Sequence, residues 1–386
     1  MLDPVTLALI ISGAIIVIGF LSNYLLERTG LPDMLFLVVL GILVGPITGL
    51  IDATTVTGLA PYLAALALVF ILFDGGMTMN IYNVFSESPR AIILATIGFT
   101  ISAVVTGFLI YVLVIPTYPP LYSALFGTIV GGSSSIIVMS LASRIKLSEK
   151  GSTVLRLESA INDILCIVLS LVIIEIIVLG GTVDVPTIAR SVASRFSIGA
   201  MLGIIIGIGW LSILKRIAKA SYSYMLTLGI ALLAYSLSEI LGGSGALCSL
   251  LFGIMLGNEK EIFGILRMKK PQDQAVDPGL KRFESEIAFL LRAFFFVYIG
   301  LIVTMPSLTT VIFGIVLALT LLLIRFGVVN LATIKSKLIP ERGIMSVLLT
   351  RGLASAVLAT LTLQYTDLIK YPDVGPVFQK LSPLYI

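Results

Sequence analysis

Leu157-Glu158-Ser159-Ala160-Ile161-Asn162-Asp163-Ile164-Leu165-Cys166-Ile167-Val168-Leu169-Ser170 places carboxylates inside an apolar run that extends from about residue 153 to residue 179. A helix of about 20 apolar residues spans a hydrocarbon layer of roughly 30 Å. Asp163 stands about ten residues into the run, hence roughly 15 Å along a helix that rises about 1.5 Å per residue, close to the midplane of a bilayer. A charge at that depth is costly and needs a reason. Whether the surroundings are lipid is decided by the rest of the chain.

Of the 386 residues, 58% are hydrophobic and only 12% charged. Soluble domains carry about twice that charged share, and a globule of this length could not hide so much apolar surface. The reading is an all-α polytopic membrane protein. The net charge of +4 is small and scattered, which argues against a nucleic-acid partner. Histidine is absent, so proton exchange near neutral pH falls to carboxylates shielded from water. Cys166 and Cys248 both lie in apolar runs and read as packing residues, not a disulfide. No zinc motif stands out, and no cofactor is expected beyond the transported ions. The segment Val5 to Leu26 is too long for a signal peptide and lacks a small-residue cleavage site, so it reads as a first spanning helix.

Twelve spans follow, near 5–26, 32–50, 58–77, 91–115, 121–143, 153–179, 192–214, 223–241, 245–257, 285–304, 308–333 and 343–366. Eighteen Lys and Arg residues fall on the odd-numbered connections and four on the even side or after the last span. By the positive-inside rule the odd connections are cytoplasmic and the N-terminus is outside. The mixed-charge segment from Asn258 to Glu286 reads as a cytoplasmic loop.

Gly41-Ile42-Leu43-Val44-Gly45 in the second span recurs as Gly253-Ile254-Met255-Leu256-Gly257 in the ninth. Phe70-Ile71-Leu72-Phe73 with Gly76, in the third, has a counterpart in Phe294-Phe295-Phe296-Val297 with Gly300, in the tenth. The offsets are 212 and 224 residues, and the paired spans run in opposite directions, the mark of an inverted repeat. The chain is then one transmembrane domain, 1–386: residues 1–180 form the first repeat, 187–219 a linker helix, and 223–386 a second repeat lacking its last helix. A thirteenth span is expected beyond Pro383-Leu384-Tyr385-Ile386.

Asp163 is the leading ion and proton site, because a midplane carboxylate can hold a dehydrated cation or a proton but hardly both. Asn162 leaves this pair of positions with one charge instead of two, and Ser159 lies one turn away. Glu158 shares a helical stripe with Asn162 and needs a cationic partner at that depth. Of the intramembrane arginines Arg292, Arg325 and Arg351, Arg325 is the choice. Asp74, late in the third span, lies in the same inner half, and Arg292 and Arg351 are supporting residues. Spans five and twelve look discontinuous and crossing. Gly131-Gly132-Ser133-Ser134-Ser135 sits mid-span in the fifth, and Thr350-Arg351-Gly352 in the twelfth. Such breaks free backbone carbonyls where a polar cavity is lined. Ser133 and Ser134 join the expected ion ligands.

Glu158-Ser159-Ala160-Ile161-Asn162-Asp163 resembles the Glu-Ser-x-x-Asn-Asp motif of the sodium/proton exchanger branch (archaeal/bacterial type) of the cation–proton antiporter superfamily. Ile324-Arg325-Phe326-Gly327-Val328 and Thr350-Arg351-Gly352 are similar to that branch's arginine motifs, and Leu31-Pro32 leading to Gly41 and Gly45-Pro46 to its second helix. The resemblance implies a 13-helix inverted-repeat antiporter fold, a homodimer and elevator-like alternating access. It also implies that Asp163 binds the ion, that Asn162 marks electroneutral exchange, and that Glu158 pairs with Arg325. The branch usually carries Thr-Asp-Pro where this chain has Ser133-Ser134-Ser135. A serine-rich break is similar instead to the potassium-efflux branch, whose members often carry a cytoplasmic regulatory domain, here to be sought beyond residue 386.

The expected function is exchange of Na⁺, alternatively K⁺, for H⁺ across the cell membrane, with Asp163 as the metal-binding residue. Two other classes remain open: a gated cation channel, and uptake of an organic anion through Arg292 or Arg351.

Overall fold

The computed structural model describes residues 3–29, 33–51, 60–132, 147–179, 185–217, 222–267, 276–302, 308–336 and 338–348, with Ser355 and Leu358. Every regular element among them is helical. The first repeat read from sequence contains α1 (Pro4–Thr29), α2 (Asp33–Ile42), α3 (Ala60–Met77), α4 (Ile81–Leu113), α5 (Pro120–Gly131) and α6 (Glu149–Leu179). Beyond it come α7 (Val185–Ile217), α8 (Ser223–Ile240), α9 (Gly245–Gly257), α10 (Glu259–Ile265), α11 (Pro278–Ile302), α12 (Leu308–Ala332) and the short α13 (Arg342–Val347).

Six stretches are long and apolar enough to cross a membrane: Pro89–Leu113, Lys150–Ile177, Ala189–Ile217, Ser223–Ile240, Pro278–Ile302 and Leu308–Ala332. Shorter apolar helices cover Leu9–Ser22, Leu35–Ile47, Ala65–Met77, Pro120–Gly131 and Gly245–Gly257. Each overlaps one span read from the sequence, whereas most of 343–366 lies outside the described residues. Large apolar side chains face outward, among them Phe20, Val104, Phe108, Leu323 and Phe326. A water-soluble surface seldom presents apolar area on this scale.

The segment read as a loop, Asn258 to Glu286, is in part helical. α10 occupies Glu259–Ile265, and α11 begins at Pro278, seven residues before the tenth span was placed. The start is set locally. Leu280 N donates to Asp277 Oδ1 at 2.7 Å, and Pro278 adds a fixed φ where no N–H is needed. Of the charges that argued for a loop, Glu259, Lys260, Glu261, Lys281, Arg282, Glu284 and Glu286 belong to helical turns.

Pro46 shapes the end of the second span. Lacking an N–H, it cannot continue an α-helical ladder, and Leu43–Ile47 is wound as a π-helical turn closed by Thr48 N to Leu43 O at 3.1 Å. Gly49 follows at φ +63, the left-handed conformation that glycine adopts without strain.

Several helices cross closely at glycines, among them two crossings that join α2 to α11 and α3 to α9. α2 meets α11 where a Cβ on Gly41 would strike Val297 O and the Gly300 backbone. α3 meets α9 where a Cβ on Gly253 would strike Phe73 O and the Met77 backbone, and one on Gly76 would strike Leu250 O. Lipid supplies no hydrophobic drive between helices, so contact depends on backbones that small residues bring together. Phe73 and Phe252 stack beside the second crossing with ring centroids 5.2 Å apart.

Candidate functional site

α6 supplies the centre of the site. Glu158, Ser159 and Asn162 are all at most 3% exposed, whereas Asp163 on the next position is partly exposed. Asp163 makes no hydrogen bond or ion pair with the described residues, and neither Arg325 nor Arg292 engages it.

Arg325 of α12 reaches Glu158 instead. Its Nη1 donates to Oε1 at 2.7 Å and its Nη2 to Oε2 at 3.1 Å, while Nε donates to Met345 O at 3.0 Å. Both side chains are buried, at 2% and 7% exposure. Met345 lies in the last turn of α13, whose final carbonyls have no partner within the helix. One guanidinium therefore ties three elements: the fork pairs a carboxylate, and the inner nitrogen closes a helix end. Asn162 Nδ2 donates to Glu158 Oε1 at 3.5 Å, adding a long contact within α6.

α5 ends beside this face of α6. Its last residue is Gly131, and Gly132 is extended at φ −76, ψ 148. A Cβ on Gly132 would lie 3.3 Å from Cys166 Cβ and 3.5 Å from Asn162 O. Cys166 donates to Ile129 O at 3.3 Å, and its sulfur is 4.0 Å from Ser355 Oγ. One turn beyond, Ser170 Oγ donates to Thr128 Oγ1 at 2.9 Å. The end of α5 and a residue of the twelfth span thus meet at Cys166, one helical turn from Asp163.

The sequence read Cys166 as packing alone, and its place between the end of α5 and Ser355 is a tertiary fact. Ser133, Ser134, Arg351 and Gly352 lie outside the described residues. Gly131 and Gly132 are where α5 stops. Asp74 and Arg292 are not part of this face: they stand on α3 and α11, with Arg292 5.8 Å from the Phe289 ring centre. Glu175 and Glu239 both have partners. Arg195 Nη2 donates to Glu175 Oε2 at 2.9 Å, and Gly245 N to Glu239 Oε1 at 2.7 Å at the start of α9.

What the arrangement offers chemically is one carboxylate without a partner among the described residues, beside a helix end, with the neighbouring carboxylate neutralised by an arginine. Comparison with known proteins gives it a context. Residues 13–370 match the family described as sodium/hydrogen exchanger, transmembrane. The K(+)/H(+) antiporter NhaP2 of Shewanella sp. (strain MR-4) is 31% identical over 268 residues, which cover 67% of this chain and 45% of that protein. The Na(+)/H(+) antiporter 1 of Methanocaldococcus jannaschii is 25% identical over 307 residues, covering 77% of this chain and 68% of that one. The chain spans less than half the length of the potassium relatives it matches. The structure of the sodium proton antiporter MjNhaP1 from M. jannaschii at pH 8 superposes with a TM-score of 0.81 at 24% identity, over 99% of this chain and 94% of that one. That likeness establishes the fold.

Proposed function

Because the chain belongs to the sodium/hydrogen exchanger family of the cation–proton antiporter superfamily, we propose that it exchanges a monovalent cation for protons across the membrane. The observation that carries this reading is Asp163: partly exposed and unpaired among the described residues, next to a Glu158 that Arg325 already neutralises. A free carboxylate in a low-dielectric site takes up either a cation or a proton, and their competition couples the two fluxes. Asn162 contributes no second charge, which supports one-for-one, electroneutral exchange. Ser159, Ser133 and Ser134 complete the proposed ligand set.

Na⁺ is the favoured ion. The potassium relatives, with higher identity than the sodium relative, and the serine-rich break support K⁺ as the second reading. The remaining parts of the proposal are twelve spans with an outside N-terminus in the cell membrane, an elevator-like movement and a homodimer. The inverted repeat gains support from two of the glycine crossings, α2 with α11 and α3 with α9. Adding 212 to Gly41 gives Gly253, and adding 224 to Gly76 gives Gly300, so the repeat converts one crossing into the other. The carbonyls facing Gly41 and Gly253 belong to Val297 and Phe73, again 224 apart.

The test is flux in proteoliposomes loaded with a pH-sensitive dye. Pulses of Na⁺, K⁺ or Li⁺ should drive proton movement in the wild type and none in Asp163→Ala. Undiminished flux in that variant would overturn the assignment. A rate that changes strongly when membrane potential is clamped would overturn electroneutrality.

A further inference from the structure

Helices α3 and α11 enclose a second group of ionisable side chains that the exchange site does not use. Asp74 on α3 accepts a hydrogen bond from Ser285 on α11 and lies in the field of Arg292. The charge of Asp74 acts in turn on Glu284. Glu284 is 1% exposed, and neither of its oxygens has a hydrogen-bond partner among the described residues. Sequence reasoning passed over it, because it falls in the mixed-charge segment taken for a loop. Its place on a helix is marked by Leu280, Phe283, Ile287 and Ala288, which repeat at helical spacing around it.

Among the described residues, two carboxylates and one guanidinium leave one uncompensated negative charge. An ionised carboxylate buried without a partner is strongly unfavourable. One bound positive charge corrects the imbalance, either a proton on Glu284 or a small alkali cation among the carboxylate and hydroxyl oxygens, the ligands that hard cations take. Among the described residues, the neighbouring elements supply no substitute. α9, packed against α3, carries no charged residue between Gly245 and Gly257, and α2 carries only Asp33 at its first position. The charged residues of α1 are Glu27 and Arg28 in its last turn. On α11 itself, Lys281 reaches Gly257 O at 3.4 Å and Arg282 pairs with Glu286 at 3.0 Å, all three side chains being exposed. On α8, Tyr224 donates to Asp277 at 2.6 Å, and Glu239 is held at the start of α9. Asp74 is partly exposed and Ser285 exposed, so the buried Glu284 is reached past them.

We propose that Asp74 and Glu284 form a binding site for one monovalent cation, proton or alkali metal, between α3 and α11, separate from Asp163. The site does not rest on the role given to Asp163 and is tested with that residue removed. The full chain, purified in detergent as Asp163→Asn, is melted across NaCl and KCl series at constant ionic strength and across a pH series. Anything that binds the folded state raises the melting midpoint with its concentration. The expected result is a residual rise that Glu284→Gln abolishes. Asp74→Asn abolishes it as well and carries the test should Glu284→Gln fail to fold. A rise that follows pH and ignores Na⁺ and K⁺ identifies the occupant as a proton. A rise that follows either salt at fixed pH identifies an alkali cation. No residual rise in Asp163→Asn, or one that survives both further substitutions, overturns the proposal. Flux lost in Asp163→Asn bears on the exchange reading alone.

Discussion

Arg325 grips both oxygens of Glu158, 2.7 Å from Nη1 to Oε1 and 3.1 Å from Nη2 to Oε2, in a setting where both residues are almost fully buried. The third donor, Nε, holds Met345 O at 3.0 Å. Neutralising Glu158 in this way leaves Asp163, about one and a half turns further along α6, as the carboxylate of the motif without a partner among the described residues. The ion pair and the helix end it closes therefore form one unit.

Breaking that unit from one side strands a buried charge. Glu158→Gln and Arg325→Ala are each expected to lower stability by about 3–5 kcal/mol. The double variant should lose clearly less than the sum of the two. Thermal or denaturant unfolding of the purified protein in a double-mutant cycle measures this, and strict additivity would contradict it.

Asp163→Asn should behave in the opposite way. Nothing described bonds to the carboxylate, so the fold should change by less than about 1 kcal/mol, while cation-driven proton flux falls to the level of empty vesicles. Melting curves and flux taken on the same preparation separate the two effects.

Competition at one carboxylate has a kinetic signature. Acidifying the side from which the cation loads should raise the apparent KM for the cation, approaching about tenfold per pH unit once the proton outcompetes it. Maximal velocity should change much less. A KM independent of pH across the acidic range would show that the two ions do not share a site.

Adjacent glycines on α3 should answer differently to the same substitution. A Cβ on Gly76 would strike the Leu250 carbonyl of α9, whereas one on Gly75 meets nothing within 4 Å. Gly76→Ala is expected to cost about 1–3 kcal/mol through forced separation of the backbones. Gly75→Ala should be neutral or stabilising by up to about 1 kcal/mol. Gly300→Ala, the counterpart of Gly76 under the repeat offset, should match Gly76→Ala. Unequal losses would weaken the repeat.

The pair between Glu175 and Arg195 is a contrasting case. Its distance, 2.9 Å, falls between the two of the buried pair, but the Glu175 side chain is 49% exposed. Glu175→Gln should cost at most about 1 kcal/mol, and the loss should fade with added salt. Unfolding at low and high salt distinguishes this from the salt-insensitive loss expected of Glu158→Gln.

The Glu158–Arg325 pair and the candidate carboxylate Asp163 were legible in the sequence, because the cost of a charge in hydrocarbon singles out its few bearers. Glu158, Asp163 and Arg325 are conspicuous in apolar runs for that reason, and a buried carboxylate beside a motif that resembles an exchanger's calls for a cation. Glu284 and Cys166 were not legible. Glu284 sits among other charges, where a helix just emerging from lipid and a polar loop have similar composition. Cys166 is apolar enough to pass as packing.

Sequence by itself determined the solvent, the helical class and the approximate limits of most apolar helices, since hydropathy and run length report the transfer of each residue into lipid one position at a time. The Asp277-Pro278 start of α11 belongs with these, being a local signal that was present and misread. Partnership belongs to the tertiary structure. Cys166 meets Ile129 and Ser355 across 37 and 189 residues of chain, and Asp74 acts on Glu284 from another helix. Such meetings depend on how each helix is rotated and where it crosses its neighbour. Close backbone contact at glycines sets both, and neither is written in the periodicity of a single span.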